Sequence, residues 1–166
     1  MTEVNTNVSE AKEVQNALPW PQYNAGWTGV PNTIFENYSF HPKFTGACLR
    51  VYMFLLHRYN QRYGYAFPTQ DQIADDLCLS RSAVKKAITS LKGLELIESE
   101  RNPAHDNLVY FLKRPIADRL TFERKFPEAK AKRIRHEESR ENDKKERHET
   151  KAAFEAKQKL AREGLL

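Results

Sequence analysis

The chain has 166 residues, a length that suits one domain with extensions. It is 40% hydrophobic and 30% charged, carries a formal net charge of +5 and has a sequence pI of about 9.2, a balance that favours polyanionic partners such as nucleic acid or an anionic membrane surface. No apolar run approaches the roughly 18 residues a membrane span needs, and the opening MTEVNTNVSEAKEVQ has neither the basic start nor the apolar stretch of a secretory signal, so a cytoplasmic protein is expected.

Residues 1–26 read as a flexible N-terminal arm. They are polar up to 18 and then bring Trp20, Pro21 and Tyr23, with Trp27 just beyond. Low apolar content leaves 1–18 with too little to bury, and disorder is expected there. Residues 27–40 hold enough apolar surface to fold back on a core. Pro31 ahead of Asn32-Thr33-Ile34-Phe35 suits the opening of one short helical turn.

The domain proper is expected over 27–121. Cys48, Val51, Tyr52, Leu55 and Tyr59 recur at helical spacing, which predicts an amphipathic helix over about 44–60 with Gly64 as its stop. Tyr65-Ala66-Phe67 is short and β-prone, and Pro68 ends it. Thr69 with Gln72 three residues on is a capping-box pattern, opening a second helix whose inward stripe is Ile73, Ala74 and Leu77. Ser80 caps a third, with Val84, Ala87, Ile88 and Leu91 facing inward. Residues 94–100 and 108–112 read as two strands, separated by RNPAHDN, which is rich in turn residues. Cys48 and Cys78 both fall in apolar helical patterns. They are expected as buried, reduced thiols, and without histidines at ligand spacing no metal site or other cofactor is expected.

Residues 122–166 differ in kind. They hold 14 Lys/Arg against 10 Asp/Glu, and from Pro127 to Thr150 the one large aliphatic residue is Ile134. No heptad of apolar residues runs through the segment, so it makes a poor coiled coil. Glu128/Lys132, Glu141/Lys145 and Glu155/Lys159, acid first and four apart, give weak support to a solvated helix. A charged helix and plain disorder both fit. In either case the tail is not expected to bury enough surface to form a second domain, and it is expected to recruit a protein partner or more DNA.

Two short helices joined by a tight turn over 69–94, the second serine-capped, are the layout of a helix-turn-helix, whose second helix enters the DNA major groove. The following hairpin then makes the fold class mainly α with a small β-hairpin, a winged helix-turn-helix with 101–107 as the wing. Ala74 supplies the small residue the helix crossing needs. Outside the packing positions the third helix offers Arg81, Ser82, Lys85, Lys86, Thr89 and Lys92. Arg81 has the fork that matches guanine, and Ser82 and Lys85 are within reach of base edges. Lys86 and Lys92 suit phosphates, and the amides behind Ser80 do as well. In the wing, Arg101 and Asn102 are the candidate contacts, and His105 reads as a loop histidine.

The run LCLSRSAVKKAITSLKGLELIES resembles the core of GntR-type and MarR-like winged-helix regulators. The wider pattern from LRVYMFLLHRYN through FPTQDQIA to the exit Gly93-Leu94-Glu95-Leu96-Ile97 resembles more closely the helix-turn-helix domains of bacterial plasmid and phage replication proteins. By position, the resemblance implies contacts from Arg81, Ser82, Lys85 and Lys86, with Arg101 in the wing. It departs at the turn, where Cys78 stands at a position usually given to glycine, and a strained turn is expected there. Three functions follow as expectations. The first is a sequence-specific double-stranded DNA-binding regulator of a plasmid or phage, acting as a homodimer through the N-terminal aromatics or through 115–126, unless those segments pack on their own core. The second is a replication or partition protein on origin repeats, and the third is a winged helix used as a protein-interaction module. No phosphate loop or paired nucleophile and base points to an enzyme.

Overall fold

The computed structural model describes residues 26–103 and 107–163. The expected flexibility of 1–18 and the aromatics Trp20 and Tyr23 lie outside those residues, as does His105. The element order is α1 (Thr33–Glu36), a 3-10 turn (Tyr38–Phe40), α2 (Gly46–His57), α3 (Gln70–Leu77), α4 (Arg81–Gly93), β1 (Ile97–Arg101), β2 (Leu108–Leu112), α5 (Arg119–Lys125) and α6 (Pro127–Arg162). This is mainly α with a small antiparallel hairpin, as the hydrophobic periodicity predicts.

α2 opens on Thr45, whose hydroxyl accepts from the Cys48 amide at 3.3 Å, and it buries Cys48, Val51, Tyr52 and Leu55. It stops at His57, short of the predicted end. The Asn60 carboxamide accepts from the Arg62 and Tyr63 amides, and the Asn60 amide donates to the Tyr65 carbonyl at 3.1 Å. A side chain that supplies local backbone bonds competes with the next helical turn. Gly64, at φ +76, lets that turn close rather than ending the helix, and Tyr59 lies outside the helix and 40% exposed.

α4 packs across α2, and α3 fills the corner between them. In the hairpin, Ile97 pairs with Leu112 and Arg101 with Leu108. Ala66 exchanges both amide bonds with Tyr110, at 2.9 and 2.7 Å, so the β-prone Tyr65-Ala66-Phe67 joins the sheet at a single bridge. β1 begins three residues later than predicted. Leu94-Glu95-Leu96 closes α4 instead: Glu95 adopts φ 55, the Glu95 amide donates to the Lys92 carbonyl and the Leu96 amide to the Leu91 carbonyl. This is a Schellman closure, with Leu94 and Leu96 turned into the core.

The expected boundary at 121 is not where packing ends. Phe122 and Ala129 are 1% exposed and Phe126 is 8% exposed. The Phe122 ring lies 4.6 Å from Tyr38 and 5.0 Å from Phe126. The segment before them is sewn to the junction of α1 and the 3-10 turn: Asn37 Nδ2 donates to the Ile116 and Ala117 carbonyls at 3.1 Å, and the Ile116 amide donates to the Tyr38 hydroxyl at 3.0 Å. Of the two expected uses of 115–126, this is packing on the chain's own core. Two aromatics four residues apart, one on a short helix and one capping its end, bury more than the surrounding charges suggest.

Of the two alternatives for the tail, α6 takes the helical one, 36 residues long. Arg133 joins it to α5, donating to Glu123 at 2.6 Å and to Glu137 at 2.8 Å. Lys151 pairs with Glu155, while Glu128 turns to His41. From Glu137 onward the described residues of α6 are exposed. Among the described residues no helix is long and apolar enough to cross a membrane.

Two outcomes follow for stability. Phe122→Ala lowers the unfolding free energy by about 3–5 kcal/mol, as aromatic truncation in a core does, measured by urea denaturation. A chain ending at 140 melts within a few degrees of the full chain, whereas one ending at 121 loses its cooperative transition.

Candidate nucleic-acid interface

The capping box at the start of α3 is complete: the Gln72 amide donates to Thr69 Oγ1 at 3.1 Å and the Thr69 amide to Gln72 Oε1 at 2.9 Å. Ile73 and Ala74 face inward, both buried, and α3 packs against α4. α3 ends with a second Schellman closure, the Leu79 amide on the Ala74 carbonyl at 2.9 Å and the Cys78 amide on the Asp75 carbonyl at 3.2 Å. Cys78 takes the left-handed conformation at φ 49, ψ 49. Its thiol is exposed, unlike Cys48, which corrects the expectation that both are buried. The left-handed geometry aims its Cβ outward, so the position cannot continue the apolar stripe of α3. The Arg50 guanidinium donates to the Leu77 carbonyl, tying α2 to the end of α3 and meeting its dipole with positive charge.

Three residues after α3 ends, Ser80 caps α4, its hydroxyl accepting from the Ala83 amide at 3.1 Å. Val84, Ala87, Ile88 and Leu91 are buried. Arg81, Ser82, Lys85, Lys86, Thr89 and Lys92 are all exposed, and no described segment covers them. The Thr89 hydroxyl donates to the Lys85 carbonyl at 3.0 Å. It therefore meets an outside partner as an acceptor, or through its methyl group.

The six do not lie on a single patch. Arg81 belongs to a cleft of about 390 Å³ shared with Asp71, Arg101, Asn107 and Leu108, where α4 meets the wing. Its guanidinium lies 3.3 Å from Asp71, both side chains about three-fifths exposed. An ion pair so exposed is worth about 0–1 kcal/mol, so Asp71 holds Arg81 in place at small cost to its release. Lys85, Lys86 and Thr89 instead border a larger trough, about 810 Å³, on the other flank of α4. The wing is closed by the Asn102 amide on the Asn107 carbonyl at 2.8 Å. Arg101 is exposed and Asn102 half-buried.

At the head of the trough sits His41, 2% exposed. Its Nδ1 accepts from the Lys43 amide at 3.1 Å, which leaves Nε2 to carry the proton and donate to Glu128, also at 3.1 Å. Burial pushes the imidazole pKa below its usual value, and the Glu128 carboxylate opposes that only in part. Lys43 and Lys132 both act on this imidazole by charge. Neither stood out among the sequence candidates, because Lys43 lies in a loop. The cluster of bases between 130 and 135 was the available signal.

Residues 45–97 match the family model of a helix-turn-helix domain. With the hairpin that follows, the assignment is complete. The chain carries a winged helix-turn-helix domain. Outside that match, no curated protein sequence is significantly similar to the chain. Similar solved structures include a cysteine-to-serine mutant of ZitR from Lactococcus lactis, 21% identical over 95% of this chain and 93% of that one, with a TM-score of 0.35. Others are wild-type ZitR in complex with DNA, 19% identical over 98% and 99% with a TM-score of 0.35, and ZitR described as a zinc-responsive MarR family member, 19% identical over 84% and 76% with a TM-score of 0.34. With TM-scores this low, the domain is identified by the matched family and by the geometry of α2 to β2, not by these structures.

Two measurements check this geometry. Glycine suffers no Cβ clash in the left-handed region but loses more chain entropy, so Cys78→Gly raises the unfolding free energy by about 0.5–1 kcal/mol while Cys78→Val lowers it. For His41 the folded pKa is below the unfolded one, so the unfolded chain binds the proton more readily. The stability it contributes is full above about pH 6.5 and is lost as pH falls from there towards the folded pKa. Chemical denaturation between pH 5 and pH 8 is expected to show that decline, and His41→Gln to flatten it.

Proposed function

We propose that this protein is a sequence-specific double-stranded DNA-binding regulator of transcription that reads the major groove with α4. The observation that carries it is the uncovered outer face of α4, where Arg81, Ser82, Lys85, Lys86, Thr89 and Lys92 are exposed with no acid between Arg81 and Lys92. An α-helix with its side chains is about 10–12 Å across, and the major groove is about 12 Å wide. Arg81 and Ser82, in the first turn, are the base-reading candidates, with Lys85 behind them. Lys86 and Lys92 are assigned to phosphates, which position the helix without reading sequence. Arg101 and Asn102, beside Arg81, are assigned to the flanking backbone or minor groove.

Specificity at one half-site is limited, so a homodimer on a near-palindromic site belongs to the proposal. With 115–126 turned to the core, the described aromatic left for a dimer surface is Trp27, 70% exposed. The exposed outer part of α6 is assigned to a protein partner.

Selection of bound duplexes from a random pool, repeated at several salt concentrations, tests the proposal. An inverted repeat with steep salt dependence is the expected result. Direct repeats would point to origin binding by a plasmid or phage replication protein, and the absence of salt-sensitive duplex binding would leave a protein-interaction module. On the selected site, Arg81→Ala weakens binding by about 1–3 kcal/mol and relaxes preference at one position. Lys92→Ala weakens all sequences alike and lowers the salt slope by about 1.

A further inference from the structure

A helix lying in the major groove has one sugar-phosphate strand on each side. On the Arg81 side of α4 the wing supplies Arg101. No described wing residue lines the opposite flank, and there the structure builds the trough between α4, the start of α2 and the start of α6. Its floor is low and apolar, because Ala47, Ala83 and Ala87 contribute only methyl groups. Its banks are cationic: Lys85 and Lys86 from α4, and Lys43 from the loop before α2. Lys132, which does not itself line the trough, adds a fourth charge near its head, where His41 sits. It stands one helical turn beyond Glu128 on the same face of α6, and it acts on His41 from there. The acid at the trough, Glu128, is engaged by the His41 Nε2–H at 3.1 Å. An apolar floor with cationic banks is the complement of a deoxyribose-phosphate chain, whose sugars are apolar and whose phosphates are anionic.

We propose that this trough seats the DNA strand on the flank of α4 away from the wing, with Lys43 and Lys132 as phosphate contacts, so that the base of α6 is part of the DNA interface. The inference rests on the reading of α4 as the groove-binding helix. It extends the contact surface to a helix outside the matched domain, and it makes the two flanks of α4 separable by mutation.

The test measures affinity of the full chain for its selected duplex as a function of salt. Each phosphate contact contributes about 0.9 to the slope of log affinity against log salt. The double variant Lys43→Gln, Lys132→Gln is expected to lower that slope by about 1.8 and leave the selected sequence unchanged. Lys43→Arg, Lys132→Arg keeps both charges and is expected to retain the slope, which separates charge from packing. Lys151→Gln, Lys157→Gln removes the same charge from the exposed outer part of α6 and is expected to leave the slope as it is. An unchanged slope in the Lys43/Lys132 variant, or an equal fall in the Lys151/Lys157 variant, overturns the inference while leaving α4 as the reading helix. A wild-type chain that binds no duplex overturns both.

Discussion

The structure depends on one tight reversal, the three residues from Cys78 to Ser80. α3 must end and α4 begin with almost no connecting chain. Two hydrogen bonds from the Leu79 and Cys78 amides close α3, and the Ser80 hydroxyl opens α4. Both orphaned helix ends at the corner are thereby supplied with partners. The left-handed backbone at Cys78 is the cost, roughly 1–2 kcal/mol for a side chain with a Cβ. That conformation persists because its surroundings fix it. Ala74 lets the helices touch, Arg50 grips the Leu77 carbonyl, and Ile73 and Val84 are fully buried on either side of the corner. The direction of α4, and so of every side chain offered to a partner, follows from this corner.

Charge is arranged around that direction. Arg81 is held by Asp71 at the wing side, while Lys85 and Lys86 border the trough and point at no acid of α4. An exposed pair such as Arg81–Asp71 adds little stability, but it narrows the volume a long side chain explores before binding. On the other flank Glu128 would weaken an anion site if its charge faced outward alone. His41 donates one hydrogen bond to it from Nε2, but a neutral imidazole leaves the carboxylate its charge, and the nearby Lys43 ammonium is what offsets it. Burial keeps the imidazole in that neutral form.

Where residue pattern and local chemistry agree, the sequence was enough. The capping box at Thr69, the serine cap at Ser80, the inward stripes of α3 and α4 and the hairpin follow from spacing and cap chemistry alone, and the outward-facing α4 candidates are the complement of those stripes. The misses share a cause: they depend on contacts between distant segments or on side chains that redirect the backbone. Asn60 ended α2 early through bonds that periodicity does not register. Glu95 took a left-handed turn that a β-prone run such as Leu94-Glu95-Leu96-Ile97 does not announce. Phe122 and Phe126 lie in a segment whose pattern suits a dimer surface as well as the chain's own core, because the partners that decide it, Tyr38 and His41, lie some eighty residues away. The trough was illegible for the same reason. It exists only because α6 returns to the start of α2.

α6 shows how far a charged segment can be structured without a core of its own. Its first turns are buried at Ala129 and stapled by Arg133 to both Glu123 and Glu137. That nucleates a helix, and nucleation is the costly step. Beyond Glu137 the described residues bury nothing, and pairs such as Lys151–Glu155 contribute a few tenths of a kcal/mol each. Helix order must therefore decline with distance from the base. At roughly 1.5 Å per residue, the exposed part reaches about 40 Å from the core, so its direction is set by the packed turns while its far end is held only by intrinsic propensity. A partner at the far end would have to supply the burial that the chain lacks there. A partner at the base finds side chains already fixed in place, which is why the contact argued for Lys132 needs no ordering of the helix to form.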